Sequence, residues 1–126
     1  MYQQNDWIMR QIEMMVSFVA HIVFKRDVDD GEIMEIIEKG NHELLWGGIL
    51  AALRGGKIGE AENMLFENAD PEDDTYSALG IAFYQRLGGM SDDELDKADF
   101  SREEILEGLK DFSRIFGIDM DENKLV

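Results

Sequence analysis

Residues 44–71 read LLWGGILAALRGGKIGEAENMLFENADP, and this stretch limits most strongly what the chain can become. Two apolar-periodic segments flank Arg54-Gly55-Gly56-Lys57, a tight break that reverses the chain. The pattern predicts a helical hairpin, with one helix from His42 to about Arg54, capped by Asn41, and a second from Ile58 to about Asn68. Gly47 and Gly48 lie inside the first of these helices. Each costs roughly 1 kcal/mol there relative to alanine, so the pair predicts a second helix approaching closely. Ile58, Ala61, Met64 and Leu65 face that neighbour, and Ala61 is small enough to let the two axes draw together.

The rest of the chain extends the same helical pattern. Asp6 is placed to cap a helix from Trp7 to Lys25, with Ile8, Ile12, Met15, Val19 and Ile22 at helical spacing. Trp7, Met14, Phe18 and Val23 widen that stripe and leave a narrow polar strip of Arg10, Glu13, Ser17 and His21. A helix this apolar needs burial on two sides: one side against the chain's own core, the other against a second copy. Asp29 or Asp30 caps a short helix from Glu32 to Lys39, which Gly40 ends. Thr75 to Leu87 forms a fifth helix, stopped by Gly88-Gly89. Ser91 with Glu94, and Ser101 with Glu104, have capping-box spacing. They predict a short helix ending near Lys97 and a last one from Arg102 to Phe116. The segment 118–126 reads as a frayed or loosely packed tail.

Composition narrows the function classes. A chain of 126 residues can bury a core without staples, and with no cysteine it has neither disulfides nor thiolate metal sites. The formal charge of −16 repels phosphate backbones and anionic bilayers, which argues against nucleic-acid and membrane partners. Met14 to Phe24 is apolar enough to suggest a signal-peptide core. Asp6 and Glu13 precede it, however, and Lys25-Arg26-Asp27 follows in place of a cleavage site. That run is also too short to span a bilayer, so the sequence reads as cytoplasmic.

No catalytic constellation stands out. His21 and His42 are the only histidines, neither has His-Glu-x-x-His spacing, and no nucleophile pairs with either. Asp119, Asp121 and Asn123 match the opening of a calcium-binding loop, but Lys124 stands where glycine is required. The acids Asp92, Asp93, Glu94, Asp96, Asp99, Glu103, Glu104 and Glu107 read as a solvated face and helix N-termini. The chain is therefore expected to be no enzyme and to use no metal or cofactor.

Leu45, Gly48, Gly56, Ile58, Ala61, Leu65 and Pro71 stand in nearly the order of a tetratricopeptide repeat, and residues 41–71 resemble one. A second unit over 75–117 begins with Leu79-Gly80 and Phe83 and is interrupted between Gly88 and Phe100. The chain as a whole resembles a family of small uncharacterised bacterial helical proteins that open as Asp6-Trp7-Ile8-Met9-Arg10-Gln11-Ile12-Glu13 does. These resemblances imply a single all-α domain of antiparallel helical hairpins, with residues 1–40 packed across them. They also imply a binding role: Trp46, Leu50, Leu53 and Arg54 would line an inner surface that Ile81, Tyr84 and Gln85 continue. The expected function is protein–protein interaction, with Trp7, Met14 and Phe18 forming a homodimer contact. The alternative is a small-molecule or peptide sensor using the face around Trp46 and Tyr84.

Overall fold

The computed structural model describes residues 2–120, with side chains from Asp6 onward. Among these residues the architecture is all-α, with seven helices: α1 (Tyr2–Phe24), α2 (Asp30–Lys39), α3 (Glu43–Arg54), α4 (Ile58–Glu67), α5 (Asp74–Gly88), α6 (Asp92–Lys97) and α7 (Arg102–Ile115).

Local chemistry sets most of the helix ends. Asp29, Ser91 and Ser101 each accept a hydrogen bond from the backbone N–H three residues on, while Glu32, Glu94 and Glu104 reach back to the cap's own N–H. These three reciprocal capping boxes satisfy donors that a helix start leaves open. Two predicted caps are not used. Helix α1 begins at Tyr2, which puts Asp6 inside the helix. His42, not Asn41, is the residue before α3. Asn41 instead takes a left-handed conformation, with φ 62°, a conformation that asparagine tolerates better than most residues.

Helix α5 is the axis of the fold. It packs against α1, α2 and α7, while α3 pairs with α4 and α1 also lies along α7. Tyr76, Leu79, Ile81, Phe83, Tyr84 and Leu87 are all buried, as are the small residues Ala78, Gly80 and Ala82. A helix buried on every face but its start and its Gln85-Arg86 edge is a core element. Its small residues let neighbours approach closely: a Cβ at Gly80 would overlap the Phe112 ring of α7. The glycine pair of α3 behaves differently. Nothing lies within 4 Å of a Cβ built at Gly47, and one at Gly48 meets only the flexible Met64 Cε, at 2.9 Å. Gly80, and not the Gly47-Gly48 pair of the α3–α4 hairpin, is therefore the helix-interior glycine held against a rigid ring.

Polar ties lock the helices in register. Tyr76 Oη donates to the Leu65 carbonyl at 2.6 Å, joining α5 to α4, and burial pushes the phenol's pKa up to about 12. His42 Nε2 lies 3.2 Å from Asp73 Oδ2 and 3.0 Å from Thr75 Oγ1, and its ring meets Tyr76 edge-on at 5.2 Å. The hydrogen bonds from Thr75, followed by the charge of His42, hold the Asp73 carboxyl below its ordinary pKa. This cluster joins the start of α3 to the N-cap of α5. It leaves no room at Gly40, where a Cβ would strike Thr75 and the His42 ring. Beyond α7, Ile118 and Met120 are buried. The chain after Gly117 is thus packed as far as Met120, contrary to the loose tail expected. Asp121, Asn123 and Lys124 lie outside the described residues.

Candidate functional site

Helix α1 presents two apolar faces with different fates. Ile8, Ile12, Met15, Val16, Val19 and Ala20 are buried in the core. On the flank between that core face and the polar strip, Trp7 is 51 % exposed, Met14 63 %, Phe18 41 % and Ile22 39 %. Their spacing of seven, four and four residues keeps them on one side of a 3.6-residue helix. Asp6–Phe24 is long and apolar enough to cross a membrane by length and composition, which the shorter run Met14 to Phe24 is not. Here, however, that segment supplies part of the core.

The expected inner surface is only partly present. Ile81 and Tyr84 are buried at 2 % and 0 % exposure, so neither lines an open face. Helix α5 turns both inward, because α1, α2 and α7 enclose it. Trp46 and Leu53 are also largely buried. What remains are two shallow hollows. One, of about 420 Å³, is lined by Met34, Trp46, Gln85 and Arg86 among others. The second, of about 290 Å³, is lined by Leu50, Leu53, Arg54, Arg86 and Met90 among others. Trp46 and Tyr84 therefore share no surface, because the Tyr84 hydroxyl points to Glu62 of α4.

A larger groove, of about 540 Å³, lies between α4 and α7. Phe66 and Phe100 form apolar walls, and Asn63 adds an amide. Glu103, Glu104, Glu107 and Asp111 line the α7 side. At the floor, Tyr84 Oη donates to Glu62 Oε2 at 2.6 Å. The pair sits over Gly108, where a Cβ would overlap both side chains. Burial raises the Glu62 pKa, and the charges of Asp111 and Glu104 raise it further, against the lowering effect of the Tyr84 bond. Burial, together with Glu62, drives the Tyr84 pKa far above the ordinary phenol range. These carboxylates do not form a metal site: among the described residues, no group of three or more His, Cys, Asp or Glu is placed to hold an ion.

A family model matches residues 1–117, from the start of α1 past the end of α7. The chain belongs to the family of unknown function DUF6483. The match takes in both the α1 stripe and the α4–α7 groove, so both lie within the family's defining span. No curated protein and no solved structure matches the chain.

The raised Glu62 pKa has a measurable consequence. Because the folded-state value exceeds the unfolded one, Glu62 favours folding below its unfolded pKa. That contribution is lost as pH rises through the folded value, and the ionised group is a cost at neutral pH. Glu62→Gln keeps an acceptor for Tyr84 and removes the charge. After allowance for solvent screening on the groove side, it should stabilise the protein at pH 7 by about 0.5–1 kcal/mol, or roughly 2–5 °C in Tm. The gain should vanish in melts below the ordinary glutamate range. An unchanged or lower Tm at pH 7 would contradict the assignment.

Proposed function

We propose that this protein is a protein–protein interaction module rather than an enzyme, that it acts in the cytoplasm, and that it pairs with a second copy of itself through α1. We read the α3–α4 hairpin, followed by α5 and α7, as a tetratricopeptide-like frame that holds α1 in place. The observation carrying this reading is the exposed Trp7, Met14, Phe18 and Ile22 stripe on a helix whose adjoining face is locked into the core. A contiguous apolar strip on a rigid element is how interfaces present their anchors.

Charge favours a second copy as the occupant. Two copies each carrying −16 repel across most approaches. Helix α1 holds only Asp6, Glu13 and Arg10 among its charged residues, so nearly all of the net charge lies elsewhere. An α1–α1 contact brings together the least acidic surfaces and keeps the acidic ones apart.

Light scattering at micromolar concentration tests this. The wild type should have the mass of a dimer, and a Met14→Glu/Phe18→Glu variant should be monomeric, still unfolding in one cooperative transition and losing only the stability that dimerisation adds. A monomeric wild type would overturn the reading, as would wild-type protein that stays monomeric in buffer and partitions onto lipid vesicles.

A further inference from the structure

We propose that the groove between α4 and α7 is a docking site for a basic, extended segment of a partner protein, one that carries an apolar side chain between lysines or arginines. The site involves no residue of α1 and stands apart from self-association.

Three observations fix the chemistry of the occupant. First, the groove has the size and the walls of a side-chain pocket. Its volume of about 540 Å³ is bounded by Phe66 on α4 and by Phe100 just before α7. Two partly buried rings facing one cavity suit an aliphatic or aromatic side chain.

Second, the charge of the lining is one-sided. Glu62, Glu103, Glu104, Glu107 and Asp111 line the groove with no Lys or Arg among them. Lys110 and Arg114 pair with Glu107 and Asp111, at 4.0 and 2.6 Å, without lining the groove themselves. Glu62 is the informative member. Tyr84 is fully buried and fixes one carboxylate oxygen, while the other has no hydrogen-bond partner among the described residues. The fold thus holds a half-buried anion against neighbouring anions, and an incoming ammonium or guanidinium group would offset that cost.

Third, a cavity of about 300 Å³ continues the groove and shares Phe100 and Glu103 as a common wall. Arg102 lines this second cavity at 6 % exposure. Its Nη2 donates to the Met90 carbonyl at 3.0 Å and to Asp92 Oδ1 at 2.8 Å. Its Nη1 is a buried donor with no acceptor among the described residues. A polypeptide ligand supplies both complements, side-chain cations for the carboxylates and an apolar side chain for the pocket between Phe66 and Phe100. A metal ion or a small polyamine supplies only the first. An occupant that follows both cavities is therefore peptide-like, extended and basic.

Fluorescence anisotropy of the 126-residue chain at low salt provides the test. The probes are a labelled (Lys-Leu-Lys-Phe)2 peptide and an equally charged (Lys-Ser)4 peptide. The first should bind, and the second should bind about tenfold more weakly or less. Glu62→Gln and Glu103→Gln/Glu107→Gln should each weaken the first peptide by about tenfold. Glu35→Gln/Glu38→Gln removes equal charge from α2 and should change affinity by less than about twofold. Thermal melts confirm that each variant is folded. Equal affinity for the two peptides, equal losses from the α7 and α2 doubles, or no binding by the wild type would overturn the proposal. Complete displacement by equimolar spermine would overturn the peptide assignment in favour of a polycation site.

Discussion

Gly80→Ala should destabilise the protein by about 2–3 kcal/mol, although alanine is the better helix former by roughly 1 kcal/mol. Gly80 lies in the middle of α5, and a Cβ there would enter the space of three Phe112 ring atoms. A flexible neighbour could move aside, but Phe112 cannot. Its ring is boxed by Phe116 at 5.3 Å, Phe66 at 5.8 Å, Tyr84 at 6.3 Å and Tyr76 at 6.4 Å between centroids. Two of those neighbours are themselves fixed, Tyr76 to the Leu65 carbonyl and Tyr84 to Glu62. The added methyl must therefore be accommodated by shifting α7 or forcing Phe112 off its rotamer, and either costs more than the helix preference returns. In a chain of this length the loss should appear as roughly a 6–15 °C fall in Tm. Gly47→Ala is the matched control. It is also a helix-interior glycine, but an added Cβ finds open space, so the substitution should stabilise by about 0.5–1 kcal/mol. If the two alanine variants shift stability in the same direction, Phe112 does not hold Gly80 against a rigid wall.

The same contrast shows what could be read in the residues and what could not. The Ser91/Glu94 and Ser101/Glu104 boxes depend on residues three apart, and α6 and α7 begin where that spacing puts them. The periodicity of Ile8, Ile12, Met15 and Val19 placed the core face of α1 for the same local reason. Gly47-Gly48 and Gly80, by contrast, look alike within the chain. Which of them meets a ring depends on α7, whose first residue is 22 positions after Gly80. Ile81 and Tyr84 fit an inner-surface pattern, yet they are buried because α5 is covered by α1, α2 and α7 together. The α4–α7 groove was hidden in a similar way. Glu103, Glu104 and Glu107 read as a solvated face, and nothing near them in sequence places Glu62 and Phe66 opposite. A faint signal was available in Phe100, Glu104, Glu107 and Asp111, which recur at helical spacing beside the small Gly108.

The sharpest division lies within α1, between two residues half a turn apart. Ile12→Asp should cost more than about 4 kcal/mol, whereas Met14→Glu should change the stability of the isolated monomer by less than about 0.5 kcal/mol. Ile12 is fully buried, and its Cγ2 would lie 3.2 Å from a Cβ at Gly88. Replacing it removes an aliphatic side chain from the core, a loss of about 2–5 kcal/mol for comparable truncations. It also leaves a carboxyl group buried with no partner. Against a total stability of about 5–15 kcal/mol for a domain of this size, the loss should lower the Tm followed by circular dichroism by more than about 12 °C. Met14 is 63 % exposed and makes no comparable demand on the core. The pair separates two descriptions of the same apolar helix. Were α1 an appended anchor or leader, both substitutions would leave the melt of the remaining helices unchanged. With α1 seated on α5 and α7, Ile12→Asp lowers the cooperative transition of the whole domain steeply, while Met14→Glu leaves the monomer's transition intact and acts only on what the exposed stripe binds.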